Sequence, residues 1–97
     1  MKQVLTLPEI EGLLRDLPDW KLEEGKLVRV WTFRDFAEAM AFVNRIAAIA
    51  EEANHHPDID IRYNRVQLAL VSHDAGGITK RDAVMASRIN AEPTHQI

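Results

Sequence analysis

Helical and strand periodicities along the chain point to an α+β domain of two layers. Three helices are expected on one face of a four-stranded antiparallel sheet, in the order α-β-β-α-β-β-α. Apolar residues recur at spacings of three and four in three segments, each opened by a Thr with an acid three residues on. Between them lie four short segments of alternating polarity, grouped in pairs around turn residues. Strands paired through tight turns run antiparallel, and amphipathic helices need the apolar face of the sheet they make.

The first helix begins at Thr6, which forms a capping box with Glu9 while Pro8 occupies the first turn, where a missing N–H costs little. Leu5 and Ile10 are placed to staple its start. Ile10, Leu13, Leu14 and Leu17 form its apolar stripe, and Pro18 ends it. Trp20 to Glu23 and Lys26 to Thr32 make a hairpin around Glu24-Gly25, where Gly25 can take positive φ. A second capping box, Thr32 with Asp35, opens a long helix reaching Glu52 or Ala53. Phe36, Met40, Val43, Ala47 and Ala50 make its stripe, widened by Phe33, Ala39, Phe42, Ile46 and Ile49. Pro57 stops it.

The second strand pair alternates Ile59, Ile61 and Tyr63 with Asp58, Asp60 and Arg62, turns at Asn64-Arg65, and runs on from Val66 to His73. Gly76-Gly77 lies in the next loop. A third box, Thr79 with Asp82, opens the last helix, expected to run to about Asn90 with small residues Ala83, Ala86 and Ser87 that permit close packing.

With 97 residues the chain is one domain, 1–97, with 1–4 and 92–97 expected to fray. A hydrophobic fraction of 46% and a net charge of −3 exclude a disordered chain. Twelve basic residues against 15 acidic ones leave no basic footprint for nucleic acid. Glu51, Glu52, Asp58 and Asp60, with no Lys or Arg among them, would repel a highly phosphorylated ligand. The absence of Cys excludes disulfides and thiolate chemistry, and Met1 to Ile10 reads as neither signal peptide nor membrane anchor. A cytoplasmic protein is expected.

Three of the four histidines fall at element ends: His55 and His56 after the long helix, His73 after the last strand. A helix end and a strand end can meet at one rim of the sheet, where chemistry tends to collect. Histidine suits proton transfer near neutral pH, and several in one pocket let one donate while another accepts. No nucleophile elbow surrounds Ser72 or Ser87, and Gly76-Gly77 is not followed by a phosphate-loop lysine. Ordinary roles compete with these. Imidazoles are favoured beside the carbonyl end of a helix, and His95 in the tail reads as incidental. Glu51 stands one helical turn before His55, either orienting that ring or lying on a solvated face. Trp20 is either a stacking platform for a flat ligand or a core residue. A zinc or iron site built from His55, His56, His73 and Glu51 is the rival chemistry. Adjacent rings at a helix end splay apart, so no metal is expected.

Glu51, His55-His56-Pro57, Tyr63, His73 and Asp82 stand at the spacing of a known signature. In this the chain resembles the pterin-4a-carbinolamine dehydratase family. Trp20, the hairpin and Phe33 to Phe36 extend the resemblance to roughly Leu7 through Asn90. The resemblance implies removal of water from a 4a-hydroxytetrahydropterin to give the quinonoid dihydropterin, with no metal and no cofactor besides the pterin itself. His55, His56 and His73 would line the site, with His56 and His73 as the proton-transfer pair and His55 binding, orienting or shuttling. Pro57, Tyr63 and Asp82 would serve as helix stop, strand-end core and capping partner. The family also implies homodimers through sheet edges or homotetramers through helices. Its animal members act as dimerisation cofactors for a transcription factor, so a non-catalytic binding module of the same fold is the alternative.

Overall fold

A computed structural model describes residues 3–94; His95 lies outside them. Three helices, α1 (Leu7–Asp16), α2 (Phe36–Ala53) and α3 (Lys80–Asn90), alternate with two hairpins, β1 (Lys21–Glu23) with β2 (Lys26–Thr32) and β3 (Asp58–Arg62) with β4 (Arg65–Leu70). The strands form one antiparallel sheet in the order β1-β2-β4-β3. Leu27↔Leu70 and Trp31↔Val66 are register partners across the central pair, so their side chains share one face and are buried under the helices. Leu68 completes that row, and Phe42, Ile46, Met85 and Ile89 close over it. Fully burying such side chains contributes roughly 1.5–3 kcal/mol each. Among the described residues no helix is long and apolar enough to cross a membrane.

The helix starts follow local chemistry. Thr6 with Glu9 and Thr79 with Asp82 both form complete capping boxes. The hydrogen bonds from Thr6 hold the exposed Glu9 carboxyl below its ordinary pKa. The long helix departs from expectation. Thr32 remains the last residue of β2, and Asp35 is the true cap, accepting from the Glu38 N–H at 2.9 Å. Ala39, Phe42, Val43, Ile46, Ile49 and Ala50 are the buried face, while Phe36 is 51% exposed and Ala47 lies outside.

The hairpin turns differ as well. Glu24 and Gly25 both take positive φ, as a two-residue turn between twisted strands demands. In the second hairpin Arg62 pairs with Arg65, so the turn is Tyr63-Asn64, one residue earlier than the alternation suggested. Asn64 is engaged elsewhere: its side-chain amide donates to the Phe33 carbonyl at 2.8 Å, and its own carbonyl accepts the Phe33 N–H at 2.8 Å. Tyr63 therefore takes the left-handed position, φ 52°, and is 67% exposed, not core.

β4 stops at Leu70, before the expected His73, and a separate bridge from Ser72 to Gly77 pinches off the loop carrying His73. Val4, expected to fray, instead bridges to Thr79, and the Leu5 N–H donates to the Ile78 carbonyl at 2.8 Å. A Cβ on Gly77 would come 2.8 Å from Val4 Cγ1, so a larger residue there would displace the Val4 side chain. At the other end Glu92 and the Pro93 carbonyl engage the Arg45 guanidinium, at 3.8 and 3.2 Å.

Removing the true cap tests the placement of α2. Asp35→Ala should cost about 1 kcal/mol in urea unfolding. An unchanged midpoint would return the cap to Thr32.

Candidate active site at the rim of the sheet

The rim is made by the end of α2, the segment leading into β3, the loop after β4 and the start of α3. α2 ends because Asn54 adopts the left-handed conformation, φ 51°, with its N–H reaching back to Ala50 and Glu51. The His55 N–H then returns to the Ala50 carbonyl at 3.1 Å. This reversal separates the two adjacent histidines. The His55 ring turns inward, its side chain 11% exposed, and its Nε2 lies 2.6 Å from Asp82 Oδ1. His56 remains outside, with Nε2 on Glu51 Oε2.

The carboxylate assignments thus differ from the spacing argument. Glu51 pairs with His56, not His55, because the helix stops at Ala53 and the one-turn relation does not extend beyond it. Asp82 is more than a capping residue. It is fully buried, and its Oδ2 accepts from the Thr79 N–H and the Ser72 hydroxyl, both at 2.9 Å, while Oδ1 meets His55. Ser72 and Thr79 are themselves buried and hydrogen-bonded to each other at 2.8 Å. Ser72 was discounted as a nucleophile and otherwise overlooked. Its place directly before His73 was the available signal.

His73 lies exposed in the loop pinched by Ser72 and Gly77, and its imidazole makes no hydrogen bond or ion pair with any described residue. The loop is tied down around it. Arg81 donates to Asp74 at 2.6 Å, and Ser72 links the loop base to Asp82. His55, Asp82 and Ser72 are therefore directly joined, His56 and Glu51 form a second pair, and His73 follows Ser72 without touching either. Pro57 is buried at the entry to β3. Among the described residues no three His, Asp or Glu side chains are grouped so as to hold a metal ion.

Trp20 belongs to the core. It is 2% exposed, packs edge-on against Trp31 with centroids 5.8 Å apart, and donates Nε1–H to Asn90 Oδ1 at 2.8 Å. That oxygen also accepts from Arg29 at 2.6 Å. Arg29 lies over the Trp31 ring, and burial draws its guanidinium pKa down against the opposing charge of Asp19. No face of Trp20 is open for stacking a ligand.

A groove of about 340 Å³ opens beside His55, between the end of α2 and α3, with Ala53, Val84 and Met85 on its walls and Lys80 and Arg88 among its lining. A larger hollow of about 590 Å³ lies over Val28, Gln67 and Ala69 on the uncovered sheet face and holds no histidine. Chemistry, not size, marks the rim as the candidate site.

Residues 3–92 match the family described as Pterin 4 alpha carbinolamine dehydratase. The chain belongs to this family. It is 60% identical, over 90% of its length and 95% of the other's, to a protein of Acidobacterium capsulatum named, provisionally, a pterin-4-alpha-carbinolamine dehydratase. The crystal structure of a transcriptional coactivator/pterin dehydratase from Brucella melitensis superposes with a TM-score of 0.86 at 36% identity, covering 92% of this chain and 97% of that one. A more distant likeness, TM-score 0.60 at 25% identity over 74% of this chain and 83% of the other, is to a pterin dehydratase-like RuBisCO assembly factor of the alpha-carboxysome.

The burial of Trp20 separates a core role from a ligand role. Trp20→Ala should cost about 3–5 kcal/mol of stability, measured by urea unfolding. A variant of normal stability with a raised KM would make the ring a substrate contact after all.

Proposed function

We propose that this protein dehydrates a 4a-hydroxytetrahydropterin to the quinonoid dihydropterin by histidine acid–base catalysis, as a cytoplasmic step of tetrahydropterin recycling. The observation that carries the reading is the pairing of the signature's residues: His55 with buried Asp82, and His56 with Glu51, on one rim. Each ring has one nitrogen held by a carboxylate and the other left for a ligand. His73 has both nitrogens uncommitted among the described residues.

The reaction needs one proton delivered and one removed. The C4a hydroxyl leaves as water once an acid protonates it, and the N5 proton passes to a base as the C4a–N5 double bond forms. His56 and His73, both exposed, exchange these protons, and His55 orients the substrate and relays protons from below. The groove beside His55 falls in the size range of small-ligand sites. The reaction draws on no metal and no cofactor beyond the pterin. Assembly into homodimers or homotetramers accompanies the activity.

A second reading is a binding module that keeps the fold without the reaction. The assembly-factor likeness favours it, as does the apolar exposure of Phe36 at the start of α2. Loss of the histidines would leave such a module functional.

The test is a coupled assay in which a pterin-dependent hydroxylase generates the 4a-hydroxy intermediate and its decay is followed by ultraviolet absorbance. The protein should accelerate decay. His56→Ala and His73→Ala should each lower kcat by about 10²-fold or more, with unfolding midpoints near that of the unaltered chain. Absence of acceleration by folded protein would favour the binding module.

A further inference from the structure

The hydrogens around Asp82 can be counted, and the count fixes more than a cap. Oδ2 faces two donors at 2.9 Å: the Thr79 N–H, whose direction is set by the backbone, and the Ser72 hydroxyl. Ser72 Oγ also lies 2.8 Å from Thr79 Oγ1, and the Ser72 hydroxyl has one proton to give. Given to Thr79, that proton would leave Ser72 Oγ and Asp82 Oδ2 facing each other lone pair to lone pair, in a site closed to water. Unsatisfied buried polar groups are costly. The proton order therefore runs from Thr79 to Ser72 to Asp82. Thr79 Oγ1 still accepts the Arg81 N–H at 3.2 Å. With Oδ2 filled, Oδ1 is left to His55 Nε2 at 2.6 Å.

We propose that Ser72 is a positioning residue: its hydroxyl, donated to Asp82, holds that carboxylate in the rotation that keeps His55 as the Nε2–H tautomer, with Nδ1 as the nitrogen offered to the substrate. A neutral imidazole carries one N–H, and the partner of one nitrogen decides the role of the other. Asp82 offers only acceptors to the ring, so the N–H sits on Nε2. Removing the Ser72 hydroxyl leaves Oδ2 with a single donor and deprives the Thr79 hydroxyl of its acceptor. The carboxylate can then turn, and the ring loses its fixed partner. Ser72 lies in the bridged base of the His73 loop, so the same hydroxyl ties that loop to His55. The kinetic consequence rests on the dehydratase reading; the tautomer does not.

The experiment uses the full chain with labelled histidine and reads the ring nitrogens by long-range proton–nitrogen correlation, alongside the coupled dehydration assay. Unaltered protein should show neutral His55 as the Nε2–H tautomer. Ser72→Ala should give mixed tautomers and about a tenfold lower kcat, the scale set by outer partners that orient a histidine, with KM little changed. Ser72→Thr, which keeps the hydroxyl, should restore both. If Ser72→Ala does not fold, Ser72→Cys, of similar size but with a weak donor, should behave as the alanine variant is expected to. A His55 ring protonated on Nδ1 in unaltered protein would overturn the proposal. So would an unchanged ring spectrum and kcat in the folded Ser72→Ala or Ser72→Cys protein. If unaltered protein fails to dehydrate the pterin, the dehydratase reading falls, and the ring spectra still decide the tautomer.

Discussion

A carboxylate with no access to solvent sets the terms for the whole rim of this domain. Burying the Asp82 side chain is costly unless it is matched by hydrogen-bond donors. Three parts of the chain supply them: the N-cap of α3 through Thr79, the loop after β4 through Ser72, and the segment after α2 through His55, 27 residues away. None can shift without leaving a buried oxygen unpaired. The helix start, the His73 loop and the first signature histidine are fixed relative to one another by this one side chain.

How much of this the sequence disclosed depends on whether the interaction is local. The Thr6–Glu9 and Thr79–Asp82 boxes span three residues and were legible. The Thr32–Asp35 pattern looked the same and was not a box, because β2 holds Thr32 in its ladder opposite Arg65. The other half of Asp82's environment was not legible, since it joins positions ten and 27 residues away. Glu51 stood open between an orienting role and a solvated face, and its partner depended on where α2 ended. That end was set by the backbone of Asn54, a conformation no side-chain pattern announces. The sheet and helix order followed from periodicity, capping boxes and turn residues. The Tyr63-Asn64 turn did not, because Asn64 is engaged by Phe33, just beyond the end of β2.

The core and the rim are separately anchored. Trp20, Arg29 and Asn90 converge on one amide oxygen and tie the end of α3 to the start of the sheet. At its other end α3 is held by Asp82 and by the strap of Val4 and Leu5 along Ile78 and Thr79. A helix secured at both ends by polar contacts, with Met85, Ala86 and Ile89 buried between, gives the rim a rigid wall. The family relationship shows the same architecture in a bacterial structure of TM-score 0.86. Loop-borne His73 is then the one signature histidine whose imidazole has no protein partner among the described residues.

The left-handed residue Asn54 has a consequence for how the His-His pair should be understood. Two identical neighbours in the chain are delivered into unlike dielectric surroundings, one beneath the surface against a sealed carboxylate, the other out beside a hydrated one. One repeated letter thereby yields two rings of different exposure, each on its own carboxylate. What separates them is the reversal after α2, where Asn54 takes the left-handed conformation, so the two rings differ in surroundings before either meets a ligand.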